Sequence, residues 1–127
     1  MTAAIEHVTT SALALALDVA SARQQLIAAN IANVNTVGHV PQRLDFAAEV
    51  ESLRSGLKDG RPLSTDGLAA VRLQPRPVLD AGGRPVPVQL DTEMAELSRN
   101  TLQFQALTKA LSRHLALLYT AASDGRK

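Results

Sequence analysis

The chain has 127 residues, a formal net charge of +1, 46% hydrophobic residues and no cysteine. Disulfides, thiol catalysis and Cys-ligated zinc are therefore excluded, and the near-neutral balance gives no electrostatic reason to expect nucleic acid as a partner. The length suits one domain. With only Phe46, Phe104 and Tyr119 as aromatics, the Ala- and Leu-rich apolar content suits long helices packed side by side better than a bulky central core.

The first element is a helix over 1–34. Ile5, Val8, Ala12, Leu15, Val19, Ala22, Leu26 and Ala29 alternate three and four apart and are all apolar, while Leu13, Leu17, Ala20, Ile27 and Ile31 widen the seam on one flank. No Gly or Pro interrupts it. A helix of ~30 residues is about 45 Å long, more than a small compact core would cover. The N-terminus lacks the basic start and apolar run of a cleavable secretory signal, and Asp18 and Arg23 interrupt any spanning segment, so direct membrane insertion is not expected.

Residues 35–46 form a junction. Asn30, Asn33 and Asn35 carry amides that bond to nearby backbone, and Gly38 tolerates positive φ, so the helix ends there with a defined exit angle. Pro41 pushes Val40 out of helical geometry. Asp45 can cap a short helix over 47–57, with apolar positions at Val50, Leu53 and Leu57. Five of the six prolines and most glycines fall between Ser55 and Pro87. The span 58–90 accordingly reads as a flexible insert, with residues 68–73 as one short extended piece and Pro75, Pro77, Pro85 and Pro87 preventing a continuous sheet.

The last helix is expected over 91–123, capped by Asp91 or Thr92 and stopped by Gly125. Its seam runs Met94, Leu97, Thr101, Phe104, Thr108, Leu111, Leu115 and Leu118, again three and four apart. The fold class is mainly α: two long amphipathic helices packed as an antiparallel, coiled-coil-like hairpin around a short irregular Pro/Gly-rich middle, 1–127 being a single domain.

No catalytic constellation is evident. His7, His39 and His114 lie in separate blocks without metal-ligand spacing, His7 and His114 reading as solvated helix residues and His39 as a packing ring. The carboxylate pairs Glu49/Glu51 and Glu93/Glu96 read as solvated charge on amphipathic helices. Gly82-Gly83 lacks the strand and helix of a phosphate loop. No enzyme activity, cofactor or metal is expected. A hairpin of this kind would bury one side of each helix and leave an elongated apolar patch for partner helices. Each helix alone would expose its stripe, so the ends are expected to be partly unfolded before assembly.

Ala29-Asn30-Ile31-Ala32-Asn33, followed after two residues by Thr36-Val37-Gly38, resembles the motif near the N-terminus of bacterial flagellar axial proteins. Val88-Gln89-Leu90-Asp91-Thr92-Glu93-Met94-Ala95-Glu96-Leu97, with Asn100, Leu102 and Phe104-Gln105-Ala106-Leu107, is similar to the C-terminal helix of the basal-body rod proteins of that family, and Asp45-Phe46 also falls where the family has it. Two departures stand out: Val37 replaces the usual Pro before the Gly, with His39 in place of an aromatic, and Asp80-Ala81-Gly82-Gly83-Arg84 replaces the usual Asp-Gly-Asn turn. The resemblance implies a proximal-rod subunit in the periplasm whose terminal helices line a helical tube. It implies that this subunit joins the membrane-ring protein and its ring-rod adaptor to copies of itself and to other rod proteins. The subunit would then enclose the export channel and leave through the flagellar type III apparatus without signal cleavage. Asn30, Ile31, Ala32, Asn33, Thr36, Gly38, Asp45 and Phe46 become its assembly motif, and Leu15, Val19, Leu26, Met94, Leu97, Phe104, Leu111, Leu115 and Leu118 its helix seam. The competing reading is a soluble helical-hairpin binding module, such as a secretion chaperone or coiled-coil adaptor.

Overall fold

In the computed structural model, which describes residues 2–45 and 47–126, two long helices run antiparallel along each other. They are α1 (Thr2–Ala32) and α4 (Leu90–Asp124). Between them come β1 (Gln42–Asp45), α2 (Ala47–Lys58), α3 (Thr65–Ala69) and β2 (Gln74–Pro77). Phe46 lies outside the described residues, as does the side chain of Asp45, expected to cap α2.

α1 is the hub. It meets α4 along its length, β1 at its C-terminal end and α3 on a third side. Its buried residues are Val19, Ala20, Ile27 and Asn30. A fully buried Val or Ile contributes roughly 1.5–3 kcal/mol, and the small Ala20 lets α4 come close. By length and composition alone, Ala3–Ala32 would suffice to cross a membrane, despite Asp18 and Arg23. Here Thr10, Gln24 and Asn30 tie it by polar bonds to α4 instead. The two terminal helices lie along each other, with few residues of either fully buried.

The span 58–90 is irregular, with two short elements set in it. Ser64 caps α3 by accepting from the Gly67 amide at 3.1 Å, and Leu68 is buried against α1. β2 pairs antiparallel with β1, with Gln42 opposite Pro77, Leu44 opposite Pro75 and Arg43 opposite Arg76. Two prolines fit this strand because they are two residues apart. The Val78 amide donates to Pro41 at 2.9 Å, so the amides of Gln74 and Arg76 face β1 while both proline nitrogens face away. The chain then turns back over Asp80–Arg84. Asp80 Oδ1 accepts from the Gly82 and Arg84 amides at 2.8 and 2.9 Å, and Gly83 takes a φ of +77°. The departure at this turn thus still yields a defined loop.

α4 starts at Leu90, one residue before the expected start, and its N-cap Gln89 makes no side-chain cap bond. Asp91 accepts from the next amide, of Thr92, at 2.9 Å. The helix ends at Asp124, with Gly125 in right-handed helical geometry rather than the left-handed cap.

Candidate assembly site

The Asn-rich junction unwinds α1 in steps. Asn33 Nδ2 returns to the Ala29 carbonyl at 2.8 Å, the Thr36 hydroxyl donates to Asn33 Oδ1 at 3.2 Å, and His39 N closes onto the Thr36 carbonyl. Gly38 takes a φ of +81°, so the turn keeps its glycine-dependent step although Val37 stands before it, fully exposed. His39 is half-buried, and its Nε2 has no hydrogen-bond partner among the described residues, which suits a ring held by packing. Ile31 is half-buried and Ala32 exposed.

Asn30, 1% exposed, does the joining. Its Oδ1 accepts from the Gln42 amide and its Nδ2 donates to the Gln42 carbonyl, both at 3.0 Å. The side chain thus pairs with β1 as a neighbouring strand would. The same Nδ2 also donates to Glu93 Oε2 at 3.1 Å. Glu93 is 2% exposed, and Arg43 meets both its oxygens, Nη2 to Oε1 at 2.6 Å and Nη1 to Oε2 at 3.1 Å. Asn30, Gln42, Arg43 and Glu93 therefore lock the end of α1, the start of β1 and the first turn of α4 into one unit. A charge-assisted, two-point contact fixes geometry as well as contributing energy. Glu93 is not the solvated carboxylate its helix position suggests; Arg43 and Asn30 satisfy it inside the structure.

Further along, Asn100 (4% exposed) donates to the Ala20 carbonyl at 2.8 Å and to Gln24 Oε1 at 2.9 Å, and His114 Nε2 lies 3.2 Å from the Thr10 hydroxyl. His114 is thus a seam residue rather than a solvated one. Glu93, Asn100, Leu107 and His114 follow at intervals of seven, so α4 presents one heptad position to α1 and fills it mostly with polar groups. A single register satisfies all three polar pairs.

The α4 seam is accordingly rotated from the expected one. Leu97, Leu111 and Leu118 are half-buried, whereas Met94 (48%), Phe104 (41%) and Leu115 (48%) are exposed. Thr101 and Thr108 bond only to carbonyls of their own helix, those of Leu97 and Phe104. Leu90, Met94, Phe104, Leu115 and Tyr119 make a second, outward stripe beside the packed one. On α1, Val19 is buried while Leu15 and Leu26 are half-buried. Among the described residues no cluster of His, Asp or Glu has the makings of a metal site.

No family model matches the chain. It is 28% identical to the flagellar basal body rod protein FlgB of Escherichia coli K12 over 127 aligned residues, covering 87% of this chain and 89% of that protein. The FlgB of Shigella flexneri matches to the same extent. A continuous stretch of that share includes both the Asn-rich junction and the start of α4, the two regions that Asn30 and Glu93 join. Along most of its length, and across both of these motifs, the chain is therefore similar to FlgB flagellar basal body rod proteins.

Proposed function

We propose that this protein is a structural, non-catalytic subunit of the bacterial flagellar basal-body rod. It takes a proximal position, where it links the membrane ring and its adaptor to the next rod proteins and helps enclose the export channel. Its partners are copies of itself and related rod subunits, and it is exported by the flagellar apparatus without signal cleavage. The observation that carries this reading is the apolar stripe that α4 leaves uncovered: polar Glu93, Asn100 and His114 take positions against α1, while Leu90, Met94, Phe104, Leu115 and Tyr119 stay exposed. A helix that half-buries Leu97, Leu111 and Leu118 but leaves these other large apolar groups outside the hairpin has a surface for neighbouring helices. Open head-to-tail contacts through such a surface generate a helical shaft rather than a closed dimer.

The test is a strain whose own copy is replaced by Phe104→Asp or Leu115→Asp. Both sites are outside the hairpin seam, so the purified variants should keep their helix content. Swimming should be lost, and the protein should no longer co-sediment with purified basal bodies. Normal swimming by both variants would remove the outward stripe from the assembly.

A further inference from the structure

The middle of the chain makes two short antiparallel pairings yet carries four prolines, Pro75, Pro77, Pro85 and Pro87. The first pairing is the β1–β2 ladder. In the second, residues 84–86 fold back on 78–80 after the Asp80–Arg84 turn. The Val86 amide donates to the Val78 carbonyl at 3.2 Å, the Asp80 amide donates to the Arg84 carbonyl at 2.8 Å, and Leu79 stands opposite Pro85.

In antiparallel pairing, alternate residues turn both peptide groups toward the partner strand, and the residues between them turn both away. Gln74, Arg76 and Val86 are turned inward. Pro75 and Pro77 on β2, and Pro85 on the returning piece, are turned outward. All three are exposed. Any other residue at these positions would set an N–H beside its carbonyl and complete an edge on which a strand can be laid. Proline leaves the carbonyl alone. On the far side of the sheet, β1 is occupied by other means at Gln42, since Asn30 holds both peptide groups of that residue.

We propose that Pro75, Pro77 and Pro85 bar strand addition at the outer edge of the middle segment, so that copies of this chain cannot join there sheet to sheet. Strand addition draws its affinity from main-chain hydrogen bonds, given and received in alternation along the edge. An edge of acceptors only forms half of them and sets proline rings against the carbonyls of the incoming chain. The proposal concerns the middle segment alone and holds whether or not the chain is a rod subunit.

The test is Pro75→Thr/Pro77→Thr, which restores two outward amides and leaves the inward ones in place. Pro85→Thr is made separately; it leaves the β1–β2 ladder untouched and decides the matter should the double variant lose β2. Circular dichroism and slow exchange of the Val78 amide check the fold. In sedimentation velocity on the full chain, self-association should be about ten-fold tighter for the double variant than for the parent, and about three-fold tighter for Pro85→Thr. The restored amides at 75, 77 and 85 should exchange more slowly in concentrated than in dilute protein, by similar factors. Gln74→Thr, whose amide is already turned to β1, should associate as the parent does. Folded variants that associate no more tightly than the parent would overturn the proposal. So would tighter association without slower exchange at the restored amides, or equal tightening by Gln74→Thr, either of which places the contact elsewhere.

Discussion

Removing the guanidinium that meets Glu93 should expose how strongly the junction is latched. Arg43→Ala would leave a carboxylate that is 2% exposed with Asn30 as its remaining partner. Breaking a buried pair by deleting one side costs about 3–5 kcal/mol. The Arg43 side chain is itself 36% exposed, so water replaces part of the lost interaction, and about 2–3 kcal/mol is the better figure once that screening is included. Glu93→Gln keeps the shape and an acceptor but sets an amide NH₂ against Arg43, for a cost of about 1–2 kcal/mol. The pair replaced together, Arg43→Met with Glu93→Leu, should recover most of the loss, since no buried charge is then left uncompensated. Urea unfolding followed by circular dichroism reads this directly. With a slope of roughly 1–3 kcal/mol per molar, the Arg43→Ala midpoint should fall by about 1–2 M. A fall of under about 0.3 M, or an Arg43→Met/Glu93→Leu variant whose loss equals the sum of the losses of Arg43→Met and Glu93→Leu made singly, would refute the latch.

Asn30→Ala removes two bonds to the Gln42 peptide and one to Glu93. It should cost about 2–3 kcal/mol and speed hydrogen exchange at the Gln42 amide, whereas Asn33→Ala, on the half-buried side of the turn, should cost about 1 kcal/mol. Gly38→Ala meets no atom within 4 Å but must hold a φ of +81°; about 1 kcal/mol of strain is expected in the same urea assay, and an unchanged midpoint would show that the junction relaxes. Because the chain has no native cysteine, a Thr10→Cys/His114→Cys variant can report register. A short thiol cross-linker should join that pair efficiently and fail with Thr10→Cys/Leu107→Cys, one heptad away.

Much of this architecture was legible along the chain and some of it was not. The unbroken three-four repeat up to residue 32 and the Asn-Gly exit announce α1 and its end because both are local effects. Glu93 is different. An acidic residue in the first turn of a helix ordinarily complements the helix dipole in solvent. Nothing periodic points to Arg43, fifty residues away. β2 was hidden because proline lowers strand propensity residue by residue, whereas its compatibility with an edge depends on which way alternate nitrogens face. On α4, two heptad frames share Leu97, Leu111 and Leu118, with Phe104 of the same series turned out of the contact. Apolar content favours the frame containing Met94 and Leu115, yet the polar groups available on α1 select the other.

That choice of frame carries a physical consequence. Had Met94 and Leu115 faced α1, the hairpin would have gained apolar burial, but no single alignment of two Ala/Leu-rich helices would have been much better than its neighbours. Asn30 with Glu93, Gln24 with Asn100 and Thr10 with His114 lower the burial inside the hairpin and make any one-heptad slip leave a buried polar group unpaired, at about 1–3 kcal/mol each. The same rotation delivers Leu90, Met94, Phe104, Leu115 and Tyr119 to the outside in a fixed position relative to the junction. Under the proposed rod role, holding this stripe in one place matters more than a tightly filled centre. Polar pairing within the hairpin and apolar exposure outside it are therefore two results of one helix orientation.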